Sequence, residues 1–397
     1  MKVLVRKFLK NESTSGVILM FVTLLALIFS NTFLSDFYST FLHTDITFKI
    51  GDTLEISKPL ILWVNDGLMA IFFLHIGLEI KRELLLGHLS SFQKIALPLF
   101  AAIGGMLVPA LIYLAFNYDD GFALKGWAIP TATDIAFALG ILSLLGNRIP
   151  SSLKIFLMAL AIFDDLGAIL IIAIFYTSDL SFISLILAAA CVAVLYAMNR
   201  MHVTLVSAYA LVGLILWVCV LKSGVHATLT GIILAFTIPL NAINVMKGKR
   251  VSPVKNLQNF IHFWVAFYIL PIFAFVNAGI DLRDLSLEKI LNPVALGIIA
   301  GLFIGKQLGV FLFTYLAVKF KIAKLPKCTS WTQIYGISIL TGIGFTMSLF
   351  IDSLAFVDSD VYNYTDKLGI LIGSTLSGLL GFLVLKFAKG KKYCSAS

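Results

Sequence analysis

Long apolar runs alternate with short polar connections along almost the whole chain. Twelve runs stand out, at about residues 14–34, 59–80, 95–116, 124–144, 152–176, 180–198, 204–221, 224–240, 259–280, 292–318, 332–354 and 368–387. Runs of about 17–25 apolar residues are long enough to cross a bilayer as helices. Inside lipid, only helices and closed barrels satisfy the backbone. These runs are too long and too continuously apolar for barrel strands. The pattern predicts an all-α membrane protein with twelve transmembrane helices, forming a single domain over 1–397. The first run lacks a small-residue cleavage signal, so it reads as a retained helix rather than a signal peptide. One connection departs from the pattern. Ile46, Phe48 and Ile50 alternate with polar residues, Gly51-Asp52 follows, and Leu54 and Ile56 alternate again. That periodicity predicts a β-hairpin over 45–57. Such a hairpin is either a cap on its loop or an edge that pairs with another subunit.

Composition agrees with a membrane solvent. The chain has 397 residues, 59% hydrophobic and only 13% charged, against about 25% charged in soluble domains. A net charge of +9 would suggest nucleic acid in a soluble protein, but no zinc-finger, RNA-binding or helix-turn-helix signature accompanies it. The basic residues instead fall on alternate connections. Lys2, Arg6, Lys7 and Lys10 precede the first span, and Lys386, Lys389, Lys391 and Lys392 follow the last. The clusters at 81–94, 148–154, 200, 247–255 and 319–327 lie on the same side, making 22 of the 30 basic residues. The opposite connections carry acids, including Asp36, Asp52, Asp119, Asp120, Asp281, Asp284, Asp358 and Asp360. Basic residues concentrate in cytoplasmic loops. The alternation therefore predicts an even number of spans, cytoplasmic termini and an external hairpin. The cysteines, Cys191, Cys219, Cys328 and Cys394, have no paired spacing, so neither a metal cluster nor a disulfide framework is expected.

The few charges inside spans carry the functional signal. An aspartate at a span centre costs about 2.5–3.5 kcal/mol on insertion scales. Asp66, Asp134, Asp164, Asp165 and Lys306 lie within spans, with Glu79 near a cytoplasmic end and Asp352 near an external one. Asp164 and Asp165 are adjacent and mid-span. On a helix they point about 100° apart, so they line two sides of a cavity or face two neighbours. Burial and a like-charged neighbour both favour the protonated form of a carboxyl. Such a pair can hold either a proton or a metal cation. Lys306 is a basic partner for one of them, because a buried ammonium needs a counter-charge. It is either a fixed partner or itself a proton carrier.

Two spans carry break signals. Pro130-Thr131-Ala132-Thr133 precedes Asp134 in the fourth, and Thr341-Gly342-Ile343-Gly344 interrupts the eleventh. Interrupted spans in corresponding positions point to a transporter's binding site. Counting 32 residues on from Thr133 reaches Asp165, and the same step from Gly342 reaches Ser374. The triplets 95–176 and 292–387 therefore have matching layouts. Three spans is an odd number, so repeated triplets can be inverted in the membrane. The expected fold has inverted-topology repeats and two discontinuous helices. Facing half-helix ends concentrate partial charge, which Asp134 and Lys306 could offset.

Several segments together resemble the NhaA-type bacterial sodium/proton antiporters over nearly the full length. They include Asn65-Asp66-Gly67-Leu68-Met69-Ala70, Gly77-Leu78-Glu79-Ile80-Lys81-Arg82-Glu83, Thr131 to Phe137, Phe163-Asp164-Asp165-Leu166 and Ser223 to Thr228. Phe273 to Gly279, Gly305-Lys306 and Gly342 to Met347 complete the set. Members of this family are among the transporters in which interrupted spans are known to mark the binding site. The resemblance implies cation and proton binding at Asp164 and Asp165, with Thr133 and Asp134 near a broken-helix crossing. It implies that Lys306 pairs with Asp164, that Asp66 lies on the external access path, and that Glu79 lies on the cytoplasmic one. It also implies a homodimer through the hairpin 45–57 and residence in a bacterial inner membrane. There is one departure. The family carries a titrating glutamate and a histidine at the start of the ninth span, where this chain has Gln258 and Asn259, while His262 remains. The usual pH response is therefore in doubt. His226 and His262 are the remaining candidates for it, since histidine titrates near neutrality. His75 reads as an interior histidine.

The expected activity is electrogenic exchange of Na+, and of Li+, for protons. The chain is expected to be a transporter rather than an enzyme, with no cofactor; its partners are the ions, membrane lipid and a second copy. A cation-coupled substrate symporter is the rival, but it would need a larger aromatic and polar pocket. An intramembrane protease would need its aspartates on different helices, and a channel would need repeated carbonyl filters.

Overall fold

A computed structural model describes residues 12–51, 54–87, 92–177, 180–240, 242–244, 249–283, 286–356 and 365–388. Lys2, Arg6, Lys7, Lys10, Lys247, Lys389, Lys391 and Lys392 lie outside these residues, as do Asp52, Asp284, Asp358, Asp360 and the turn of the expected hairpin. The elements in chain order begin with α1 (Glu12–Asn31), α2 (Ser35–His43), β1 (Asp45–Ile50) and β2 (Leu54–Pro59). Helix α3 (Leu60–Leu86) follows, then α4 (Phe92–Asn117), a 3₁₀ segment Ala123–Thr131, and α5 (Ile135–Leu144). Next come α6 (Ser151–Phe175), α7 (Phe182–Arg200), α8 (Val206–Leu221), α9 (Leu229–Thr237), β3 (Ala242–Asn244) and β4 (Lys249–Val251). The rest are α10 (Pro253–Asn277), α11 (Leu287–Ile290), α12 (Pro293–Lys319), α13 (Trp331–Leu340), α14 (Phe345–Ala355) and α15 (Thr365–Phe387).

Among the described residues, nine helices are long and apolar enough to cross a membrane, or ten if the bent pair α13 and α14 is one span. The apolar runs 204–221 and 224–240 form shorter helices than the hydropathy pattern suggests. After α8 the chain turns through Gly224 at φ 84°, a left-handed conformation that a glycine adopts without steric cost. At the other end of α9, Ile238 is extended, as the residue before a proline tends to be. Polar signals set other helix starts. The Ser252 and Asn292 side chains cap α10 and α12, each with a proline next. Ser330 and Gln333 form a reciprocal capping box on α13. Cysteine spacing suggests no disulfide, yet Cys328 is disulfide-bonded, whereas Cys191 and Cys219 are free.

The chain divides into two compact units. The first comprises Met1–Thr32, His88–Ala168 and Ala278–Ser397. Within it α4 packs along α12, and α15 packs against α12 and α13. The approach of α4 to α12 is close: a Cβ on Gly104 would lie 2.3 Å from the Gly309 carbonyl oxygen. Small residues allow such contacts between helices in lipid, where packing replaces the hydrophobic drive. The second unit comprises Phe33–Gly87 and Ile169–Asn277. In it α3 packs on α9, α7 packs on α8, and β1 pairs antiparallel with β2 from Asp45↔Pro59 to Ile50↔Leu54. A second small hairpin, β3 with β4, lies in a connection that reads only as basic in the sequence.

Among the described residues, three helices contain one wide, π-type turn, at Val64–Leu68, Val265–Ile269 and Gly301–Gly305. Such turns occur often at functional sites. The first carries Asn65 and Asp66, and the third immediately precedes Lys306.

Candidate functional site: a buried lysine–aspartate pair beside two broken helices

The helical path from Ala123 to Leu144 is interrupted. The 3₁₀ segment ends at Thr131, Ala132 and Asp134 are extended, and α5 starts at Ile135. The second interruption separates α13 from α14, which differ in direction by 42°. The two breaks join through the backbone, since Asp134 N–H donates to the Ile343 carbonyl at 2.6 Å. The Thr133 hydroxyl lies 2.9 Å from the Thr341 carbonyl.

Asp134 serves two helix starts at once. Its Oδ1 accepts the Phe137 N–H at 3.0 Å, capping α5. Its Oδ2 accepts the Thr346 N–H at 3.0 Å and the Thr346 hydroxyl, in the first turn of α14. A helix N-terminus favours negative charge, and here two of them share one carboxylate. Ser374 of α15 supports the same break, accepting the Gly344 and Phe345 N–H groups at 3.2 and 3.1 Å.

Beside the break, Lys306 is fully buried and its Nζ donates to Asp164 Oδ2 at 2.6 Å. The same ammonium donates to the Thr133 hydroxyl at 2.9 Å, and that hydroxyl lies 2.6 Å from Asp164 Oδ2. Lys306 thus reaches the break through Thr133. In the wide turn just before it, the Phe303 carbonyl accepts Gln307 Nε2. Asp164 Oδ1 is buried and has no hydrogen-bond partner. Asp165 is buried as well and acts electrostatically on the Lys306 ammonium. A charge pair out of water is sustained only by good geometry and further hydrogen bonds. Here Oδ2 has both, and Oδ1 has neither. An anionic oxygen without a partner is what a cation or a proton would complete.

Asp134, Thr133, Asp164, Asp165 and Lys306 are brought together in the first unit. Asp66, Glu79, His226 and His262 lie in the second. Asp66 Oδ2 receives Lys58 Nζ at 2.6 Å, and its Oδ1 lies 3.6 Å from His226 Nε2. The other ring nitrogen of His226 lies 2.7 Å from the Thr228 hydroxyl. Glu79 forms a separate group, with its Oε2 4.0 Å from His75 Nε2, and that nitrogen is 3.5 Å from His262 Nδ1. Arg82 donates to Gln258 Oε1 at 2.9 Å and to Glu83 at 2.9 Å. Gln258 therefore acts as a neutral acceptor for a guanidinium. Three residues that the sequence names only as parts of a break, a motif or a spacing also contribute to the site. Thr341 and Thr346 meet the fourth-span break from more than 200 residues away, and Ser374 was visible only as the endpoint of a 32-residue step.

Known proteins resemble this chain over its whole length. The model of the family described as Na+/H+ antiporter 1 matches residues 6–385. The Na(+)/H(+) antiporter NhaA of Sulfurovum sp. (strain NBC37-1) is 61% identical over 387 residues, 98% of each chain. The Na(+)/H(+) antiporter NhaA of Campylobacter concisus (strain 13826) is 59% identical over 97% of this chain and 93% of its own. The protein of the same description from a Nitratiruptor species is 58% identical over 97% of this chain and 98% of its own. With the family model spanning residues 6–385 and relatives this similar across their full length, the chain belongs to the Na+/H+ antiporter 1 family.

Proposed function

We propose that this chain exports sodium, and lithium, in exchange for external protons, through competition at Asp164 and Asp165. The observation that carries the reading is the buried Asp164 carboxylate. One oxygen is held by Lys306 and Thr133, the other has no partner, and a second aspartate follows it in sequence. Hard carboxylate oxygens suit hard cations, and the same oxygens take protons. With the site open to the cytoplasm, sodium binds and displaces protons. The site then opens outward, sodium leaves and protons return. Two protons per sodium would move one net charge, which the membrane potential drives with about 2.3 kcal/mol per 100 mV. Lys306 holds Asp164 ready as a carboxylate and must yield Oδ2, or its proton, when a second cation arrives. The antiporter description carried by the relatives supports this reading, and nothing supports the symporter alternative.

The wider architecture belongs to the same reading. We assign twelve spans by counting α8 and α9 with the longer helices, with both termini cytoplasmic in a bacterial inner membrane. The triplets 95–176 and 292–387 are read as inverted repeats. In the first, the break bonds to the third helix 31 residues on (Thr133 to Asp164); in the second, 30 residues on (Gly344 to Ser374). Asp66 would guard the external path and Glu79 the cytoplasmic one, with His226 and His262 available to respond to pH. The hairpin, whose Ile46 and Phe48 are exposed, would join two copies.

Proteoliposomes holding a pH gradient test the proposal. Adding sodium should collapse the gradient with the native chain and not with Asp164→Asn or Asp165→Asn. Collapse by either variant at the native rate would refute it.

A further inference from the structure

We propose that the Lys58 ammonium serves Asp66 as a tethered cation, taking the place that departing sodium would otherwise occupy. The position of Asp66 on the external path belongs to the function proposed above, and the inference rests on that reading; the contact between the two side chains does not.

Asp66 sits in the wide turn Val64–Leu68 of α3, a kind of turn that often marks a functional site. Its backbone carbonyl accepts Trp217 Nε1 at 3.1 Å, so α8 holds the turn from one side. Its side chain is only 13% exposed. A carboxylate so placed, without a counter-charge, attracts any small cation that passes it. Lys58 supplies the charge, with Nζ donating to Oδ2 at 2.6 Å, the short distance of a charge-assisted bond. At the other oxygen, His226 Nε2 lies 3.6 Å away and adds charge only when protonated.

The hairpin places the ammonium. Lys58 is the penultimate residue of β2, opposite Ile46 on β1. Three bonds that do not involve its side chain fasten the hairpin to its surroundings. Trp63 Nε1 donates to the Ile46 carbonyl, Lys222 Nζ to the Glu55 carbonyl and the Leu60 N–H to the Thr44 carbonyl, each at 3.0 Å. All of these residues belong to the second unit. The hairpin thus has anchors of its own, and the Lys58–Asp66 pair is not needed to hold it. The Lys58 side chain is 30% exposed, and its flexible stem lets the ammonium swing away when another cation arrives. Sodium at Asp66 must displace this competitor, so Asp66 is a residue that sodium passes rather than a trap. Sodium arriving from outside meets the same competitor.

The purified full chain in the Asp164→Asn/Asp165→Asn background reads Asp66 without the exchange site. Its melting temperature is compared in sodium chloride and in choline chloride at equal ionic strength, since a cation that binds the folded chain raises it. Lys58→Gln should gain a sodium-dependent rise that the parent lacks, Lys58→Arg should not, and adding Asp66→Asn to Lys58→Gln should abolish it. No gain, or a gain that survives Asp66→Asn, overturns the proposal. If Lys58→Gln does not fold, Lys58→Met, which keeps the apolar stem, takes its place under the same criteria. Everted vesicles with Asp164 and Asp165 intact then test the direction, with the bath on the cytoplasmic face and the lumen on the hairpin face. Lumenal sodium should inhibit the Lys58→Gln exchanger about fivefold more strongly, the factor set by a partly exposed ion pair. The bath sodium needed for half-maximal exchange should not change. A merely structural clasp would slow exchange without this sidedness, and that result, or a shift on the bath side alone, overturns the assignment to departing sodium. No sodium-dependent pH change in native vesicles would refute the exchange reading instead, while the melting temperatures would still decide on Lys58.

Discussion

Replacing Asp134 by asparagine probes the crossing with almost no change of shape. Asp134 accepts three hydrogen bonds, from the Phe137 N–H, the Thr346 N–H and the Thr346 hydroxyl. The hydroxyl can rotate and accept from an amide instead; the two backbone donors cannot. Asparagine keeps one acceptor oxygen, so one N–H must face the new –NH2 group. If α5 loses its cap, the cost is about 1 kcal/mol. If the Thr346 N–H is orphaned, it is about 1–3 kcal/mol. Loss of the charge between two helix N-termini adds about 0.3–1 kcal/mol for each. The cheaper arrangement totals about 2 kcal/mol, roughly thirtyfold in the folded-to-unfolded ratio. Asp134→Ala loses both acceptor oxygens and all three hydrogen bonds and should cost about twice as much. Denaturation of the purified protein in detergent measures the stability, and sodium-dependent pH change in everted vesicles measures exchange. An Asp134→Asn chain with native stability and native exchange would refute the idea that this carboxylate offsets the two helix ends.

Lys306→Ala leaves Asp164 buried without its counter-charge and should destabilise the protein by about 3–5 kcal/mol. Adding Asp164→Asn should recover much of that loss, so a double-mutant cycle with no coupling would contradict the pairing. Thr133→Val keeps the volume but removes the hydroxyl shared by Lys306, Asp164 and Thr341. It should raise the sodium concentration needed for half-maximal exchange several-fold, with a smaller effect on stability. Gly104→Ala puts a methyl group against the Gly309 carbonyl and should lower the melting temperature sharply, whereas Gly121→Ala, with open space around it, should not.

The sequence makes the centre of the site visible because charge in an apolar run is so costly. Asp134, Asp164, Asp165 and Lys306 stand out for that reason alone. Which aspartate takes the lysine is not written in spacing, since adjacent residues differ only in direction; the resemblance pointed to Asp164, and Lys306 Nζ lies on its Oδ2. Thr341 and Thr346 were invisible as partners because a threonine in a membrane helix costs little, and their contacts span 208 and 212 residues. Gln258 was read for what it cannot do, titrate. Its acceptance of a bond from Arg82 depends on two distant helices meeting. Hydropathy also overstated α9, because apolar content does not register the backbone turn at Gly224 or the extended Ile238 before its proline.

Competition at Asp164 and Asp165 has one direct readout, the protons released when sodium is added to purified protein in weakly buffered detergent solution. The account predicts release that saturates with sodium, occurs also with lithium, and disappears in both Asp164→Asn and Asp165→Asn. Saturable sodium binding with no proton release, or undiminished release from either variant, would contradict it.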